Sequence, residues 1–83
     1  MIVSMNVDKS MSGDYAYGPE CETFASIKEA VEQFRSEVVS ECIADESVFK
    51  AYLYAGRVDD CTDLFPEWML FVGPRGGIVR VRA

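Results

Sequence analysis

Eighty-three residues, 49% of them apolar and 27% charged, predict a single globular domain with one hydrophobic core. This composition lies outside the low-hydrophobicity, high-charge range that is typical of disordered chains. The formal net charge of −6 disfavours nonspecific binding to nucleic acid or to anionic lipid, because both ligands are themselves negatively charged.

Charge is distributed unevenly along the chain. All 14 acidic residues lie within positions 1–67, whereas positions 68–83 contain three arginines and no acid. No apolar run reaches the roughly 18 residues that a membrane span requires, and the N-terminal segment MIVSMNVDKS lacks a basic leader. We therefore expect a cytoplasmic protein, which would act in the host cytoplasm if a virus encodes it.

The first predicted element is a strand over residues 2–7. Val3, Met5 and Val7 alternate with Ser4 and Asn6, which is the pattern of a strand that is buried on one face. Residues 8–23 are rich in Gly, Ser, Asp and Pro and follow no period, so they predict a long loop. A loop of this length is either functional or packed against the sheet.

The second predicted element is an amphipathic helix over residues 26–43. Ser26 and Glu29 have the spacing of a capping box, in which each side chain hydrogen-bonds a free amide at the helix start. Apolar residues recur at helical steps along one face, namely Ile27, Val31, Phe34, Val38 and Cys42. The other face and the end of the helix predict an acidic partner-binding surface, which consists of Glu29, Glu32, Glu37, Glu41 and Asp45.

Three further strands are predicted after the helix, over residues 48–55, 67–72 and 78–82. In the first of them, Ala51 and Leu53 alternate with Tyr52 and Tyr54. The acidic sequence RVDDCTDLFPE follows this strand and predicts a loop, because its Asp, Thr and Pro residues favour turns. The last two strands are joined by GPRGG.

The GPRGG connection presents a choice between a phosphate-binding loop and a turn. A phosphate loop requires a helix N-terminus, usually with Lys and Ser or Thr, but here the chain continues into the strand-like IVRVR. Pro74 at the second position and Gly76 in the left-handed region fit a type I turn followed by a bulge. The pattern therefore predicts a β-hairpin.

The hairpin predicts which side chains share a face of the sheet. The turn pairs Phe71 with Val79 and Met69 with Val81, and a slip by one residue is the alternative register. Because one helix covers one side of a small sheet, we expect an open face that binds a partner or a second copy. That face is predicted to contain Tyr52, Tyr54, Trp68, Leu70, Ile78, Arg80 and Arg82. The alternative is that these side chains are ordinary surface residues without a binding role.

No residue pattern in the chain predicts a catalytic residue, a cofactor or a metal. Histidine is absent, which removes the commonest general base and metal ligand. Cys21, Cys42 and Cys61 are odd in number and widely spaced, so reduced thiols are predicted, and a Cys21–Cys61 disulfide is the less favoured alternative. The carboxylates of RVDDCTDLFPE lack the order of ligands in a calcium-binding loop, so a solvated acidic loop is favoured over a cation site.

The predicted fold class is α+β, a single small domain of order β-α-β-β-β, with a four-stranded, mainly antiparallel sheet packed on one amphipathic helix. The predicted function is that of a noncatalytic acidic protein–protein interaction module. One form of it is a stand-alone inhibitor or accessory protein, such as a virus encodes, that binds a basic, nucleic-acid-handling partner. The alternative is a homodimeric assembly protein that uses the open face around Trp68, Arg80 and Arg82. A single-stranded RNA-binding sheet is disfavoured by the acidic charge.

Overall fold

The computed structural model describes residues 1–8, 20–40 and 50–83. Within these residues the elements are β1 (Val3–Asp8), β2 (Glu22–Phe24), α1 (Ile27–Ser40), β3 (Lys50–Ala55), β4 (Trp68–Val72) and β5 (Ile78–Arg82). The predictions for Glu41, Cys42 and Asp45 fall outside the described residues.

The strands form one antiparallel sheet in the order β2-β1-β3-β4-β5. The predicted combination of an antiparallel sheet with one helix is confirmed. The prediction of four strands in the order β-α-β-β-β is wrong, because the structure has a further strand, β2, where the sequence predicts the loop and the approach to the helix. Its three residues, ETF, are too few for a period of two to be recognised, and its pairing with β1 is a long-range contact.

Helix α1 begins where the capping box predicts. The Glu29 amide donates to Ser26 Oγ at 3.2 Å, and Glu29 Oε2 accepts from the Ala25 amide at 3.2 Å. The second bond therefore reaches one residue further back than in the standard box, where it would end on the amide of Ser26. Among the described residues no helix is long and apolar enough to cross a membrane.

The hydrophobic core lies between α1 and one side of the sheet. The helix contributes Ala30 and Phe34, both without exposed surface, as the predicted apolar stripe requires. The sheet contributes buried residues from β1, β3 and β4, namely Val3, Met5, Ala51, Leu53 and Leu70. Phe24, Ile27, Val31, Trp68, Val72 and Ile78 are partly buried against this core.

The β4–β5 hairpin has the predicted turn and register. Gly76 lies at φ +83°, and its amide donates to the Gly73 carbonyl at 3.0 Å, while the Gly73 amide donates to the Gly77 carbonyl at 2.7 Å. Phe71 pairs with Val79 in β5, as expected from a three-residue loop. The first of the two registers is therefore confirmed.

The predicted open face is wrong in its composition. Leu53 pairs with Trp68 and Ala51 pairs with Leu70, so β4 presents Trp68 and Leu70 to the helix side. The hairpin register then places Ile78, Arg80 and Arg82 on the helix side as well. Of the predicted set, only Tyr52 and Tyr54 lie on the opposite side. The side chains of β4 that share a face with those of β3 are determined by how the connection 56–67 joins the two strands. Because this connection is irregular, its sequence does not indicate the register.

The side of the sheet opposite α1 is called the rear face below. It carries Ser4 and Asn6 from β1 and the two tyrosines from β3. Thr23 on β2, Lys50 on β3, and Met69, Phe71, Val79 and Val81 on β4 and β5 also lie on it. Ser4 and Asn6 are 0% and 2% exposed, which shows that something besides the helix covers this face of β1.

We expect Gly76→Ala to lower the free energy of unfolding by about 1–2 kcal/mol, because a Cβ at φ +83° is strained against the following carbonyl. Chemical denaturation measures the change. Gly77→Ala is the matched control, since no heavy atom lies within 4 Å of the added Cβ and its φ is not in the left-handed region. Equal losses in the two variants would contradict the assigned turn.

Candidate protein-interaction surface

The connection 56–67 between β3 and β4, called the acidic loop below, is fastened to the rear face at its start. Gly56 lies at φ +81°, and its amide donates to the Ile2 carbonyl at 2.8 Å. The buried Ser4 hydroxyl donates to the Gly56 carbonyl at 2.7 Å and accepts from the Val58 amide at 2.8 Å. These bonds turn the chain back over β1 and cover the rear face there.

The middle of the acidic loop is tied to the segment that precedes β2. The Cys21 amide donates to the Asp59 carbonyl at 2.9 Å, and Glu20 forms an antiparallel bridge with Asp60. Asn6 Nδ2 donates to the Glu20 carbonyl at 2.8 Å, which anchors that segment to β1. The loop therefore spans the rear face from the end of β3 to the edge of the sheet at β2.

A tight turn follows and directs the chain outward. The Thr62 amide donates to Asp60 Oδ1 at 2.8 Å, and the Leu64 amide donates to the Cys61 carbonyl at 3.0 Å. Hydrogen bonds from the side chain and backbone of Thr62 hold the pKa of the Asp60 carboxyl below its usual value. Asp63 adopts φ +65°, a conformation that Asp tolerates better than most residues. The Glu67 amide then donates to the Leu53 carbonyl at 2.7 Å, where β4 begins.

The tip of the acidic loop exposes two large apolar side chains. Phe65 is 92% exposed and Leu64 is 48% exposed. Residues on both sides of this pair are held by hydrogen bonds to Cys61 and Leu53, so the pair projects from an ordered segment. Leu64 and Phe65 are called the apolar tip below.

Carboxylates flank the apolar tip in the sequence of the loop. Asp59, Asp60, Asp63 and Glu67 are all exposed, and they are called the acidic rim. Arg57 is the single basic residue of the loop. Glu67 is 4.0 Å from Arg82, a pair that is too exposed to neutralise the rim. An apolar centre with a polar, solvent-accessible rim is the usual anatomy of a protein–protein interface.

The predicted acidic helix face is only partly acidic in the structure. Glu29 and Glu32 are exposed, but Lys28 and Arg35 are exposed beside them on the same helix. Glu37 is half-buried. Glu29 also has a structural role in the capping box, so this face has less free negative charge than its sequence suggested.

The helix side carries a basic groove instead of an open platform. A groove of about 450 Å³ lies between α1 and β5, lined by Ile27, Lys28, Val31, Glu32, Arg35 and Arg80. Arg80 sits 6.0 Å from the centre of the Trp68 ring, within the range of a cation–π interaction. Arg82 is exposed at the end of the edge strand β5. Of the predicted residues of this face, Arg80 lines the groove and Arg82 lies on the edge strand, whereas Leu70 is buried in the core and Trp68 and Ile78 pack against it. Tyr52 and Tyr54 lie on the other side of the sheet.

Tyr54 is 7% exposed and belongs to the covered part of the rear face, whereas Tyr52 is half-buried. Val81 is 36% exposed and lies in the same row as Tyr52 and Met69. The more accessible part of the rear face therefore lies on β3–β5 and is apolar apart from Lys50.

No three carboxylate or cysteine side chains within residues 1–8, 20–40 and 50–83 are grouped so as to hold a metal ion. Cys21 and Cys61 are not joined by a disulfide, and both are half-buried.

Sequence reasoning misses the apolar tip because the acidic residues and turn formers of RVDDCTDLFPE predict only a solvated loop. The available signal was the pair Leu64–Phe65 between Asp63 and Pro66. Two large apolar residues in a segment rich in turn formers have no place in a strand or helix core, which favours a surface role.

No protein-family model matches the chain, and neither a curated protein nor a solved structure is significantly similar to it.

We expect Ser4→Ala to lower the free energy of unfolding by about 1–2 kcal/mol, because the Gly56 carbonyl and the Val58 amide lose their hydrogen-bond partner. Amide hydrogen exchange should show faster exchange at Val58 than global unfolding explains. Ser26→Ala is the control, since loss of the helix cap destabilises the protein by about 1 kcal/mol without touching the loop. Unchanged protection of Val58 in Ser4→Ala would contradict this anchoring role.

Proposed function

We propose that this chain is a noncatalytic protein-interaction module that docks its apolar tip into a pocket of a partner protein, with the acidic rim against basic side chains around that pocket. The observation that carries the proposal is the 92% exposure of Phe65 in a segment that is hydrogen-bonded on both sides. A large apolar side chain in such a position gains free energy only when a partner covers it.

The ordered loop supports tight docking. Ser4 and Cys21 hold the loop at Val58 and Asp59, and the Glu67 amide holds its end on β3. A preordered loop loses little conformational entropy when it binds, so more of the contact energy appears as affinity. Aromatic anchors surrounded by polar residues are typical of binding hot spots.

The charge of the surface selects the class of partner. Four rim carboxylates on a chain of net charge −6 favour association with a basic protein and accelerate the encounter. Proteins that bind nucleic acid carry clustered Lys and Arg for phosphate contacts. An acidic module that covers such a cluster competes with nucleic acid, which is the action of an inhibitor or an accessory protein.

The acidic helix face is a weaker candidate for the same role. Lys28 and Arg35 are interleaved with Glu29 and Glu32, so the positive and negative charges of this face partly cancel for an approaching partner. No aromatic residue is exposed in the described part of that face. Charge-reversal variants separate the two surfaces experimentally.

Phe65→Ser is the direct test of the apolar tip. Because Phe65 contributes little to the core, we expect the free energy of unfolding to change by less than about 0.5 kcal/mol. A partner captured from an extract of the encoding organism, then purified, should bind the variant at least about tenfold more weakly, since a buried Phe contributes roughly 1.5–3 kcal/mol. Calorimetry or fluorescence anisotropy measures the dissociation constants.

Asp59→Lys and Glu32→Lys are matched charge reversals on the loop and on the helix. We expect the first to weaken binding strongly at low salt and the second to have little effect, with the difference shrinking at high salt. Binding that is indifferent to Phe65→Ser but lost in Glu32→Lys would contradict the loop as the docking surface. Light scattering addresses the homodimer alternative: a stable dimer that Phe65→Ser leaves intact and Val81→Ser disrupts would assign self-association to the rear face instead.

A further inference from the structure

Cys21 and Cys61 are distant in the sequence but lie side by side in the structure. The Glu20–Asp60 bridge aligns their two backbone segments antiparallel, and the Cys21 amide donates to the Asp59 carbonyl at 2.9 Å. With Glu20 opposite Asp60, the two cysteines are diagonal neighbours on the same side of the bridge. Their thiols are within hydrogen-bond contact of each other.

The environment of the pair favours protected thiols. Both cysteines are half-buried and in the reduced, thiol form. Burial, which is the largest cause, together with the adjacent Cys61, Asp60 and Asp59 raises the pKa of the Cys21 thiol to about 12. A thiol that stays protonated at neutral pH reacts slowly with a dissolved peroxide, but once one sulfur of the pair is oxidised the other is already beside it.

We propose that Cys21 and Cys61 are a disulfide-forming pair that covalently fastens the acidic loop to the segment before β2. With a peroxide as oxidant, one thiol is first converted to a sulfenic acid, and hydrogen peroxide is reduced to one water. The second thiol then attacks that sulfur, the sulfur–sulfur bond forms, and the hydroxyl leaves with a proton as a second water. In total, two thiols and one peroxide give one disulfide and two waters. A dithiol reductant reverses the reaction by thiol–disulfide exchange.

The bond has a structural consequence for the acidic loop. It closes the chain between β2 and β4 covalently, which restricts the unfolded state and therefore stabilises the folded state. It also joins the loop to the sheet three residues before Leu64, at the start of the turn that carries the apolar tip. An effect of oxidation on docking rests on the proposed function, whereas formation of the disulfide does not.

The test uses the full chain with Cys42→Ser, which removes the third thiol, and the unaltered chain beside it. Treatment with hydrogen peroxide should remove two hydrogen atoms from the intact mass while the protein stays monomeric on a nonreducing gel. Peptide mapping should join the fragments that contain residues 21 and 61. The melting temperature should rise by about 5 °C or more and return on reduction. The rate should increase with pH well into the alkaline range, because the thiolate fraction of Cys21 grows as the pH approaches its raised pKa of about 12.

Cys21→Ser and Cys61→Ser are the matched controls, and each should lose both the cross-link and the rise in melting temperature. The inference is overturned if peroxide yields only sulfinic acids, only cross-links between chains, or bonds to Cys42 in the unaltered chain. Mass and melting temperature are measured without a partner, so failure here is distinguishable from failure of Phe65→Ser to weaken docking.

Discussion

The rest of the structure depends on the burial of both faces of β1. Strand β1 lies between β2 and β3, and its Val3 and Met5 side chains are in the core beneath α1. On the rear face it buries Ser4 and Asn6, whose polar groups require hydrogen-bond partners once water is removed. The backbone of the acidic loop partners Ser4, and the Glu20 carbonyl accepts from Asn6. Ser4 and Asn6 thus fix the path of the loop and the outward direction of its tip. They also bring Cys61 of the loop beside Cys21.

Charges of opposite sign are concentrated near the two edges of the sheet. Asp59 and Asp60 of the loop lie beside Glu20 near the β2 edge, whereas Arg80 and Arg82 occupy the β5 edge, where Arg82 is 4.0 Å from the loop residue Glu67. Charged side chains on an exposed edge strand discourage pairing with further strands, so the arginines of β5 have a protective role there. The acidic region bears the exposed aromatic residue, which is why the proposed docking surface is placed in the loop and not in the basic groove.

Much of the local structure could be predicted, but the candidate site could not. Ser26 and Glu29 predicted the helix start, and Pro74 with Gly76 predicted the turn and its register. Strand alternation correctly separated Tyr52 from Leu53. It did not show that Leu53 pairs with Trp68. This difference of one residue in register places Trp68, Arg80 and Arg82 on the helix side. The composition of the predicted binding face was wrong for this single reason.

The sequence by itself determined the features that depend on residues within a few positions of each other. Caps, turns and alternation are controlled by backbone conformation and by hydrogen bonds that close over three to five residues, so their chemistry can be recognised in the chain. Only the tertiary structure decided the pairing of β2 with β1, the face that meets α1 and the contact of Cys21 with Cys61. It also decided that Phe65 is exposed while the equally apolar Leu70 is buried. Which side chains are buried depends on which distant segments pack together and exclude water. The free energy of that packing is a property of the whole domain.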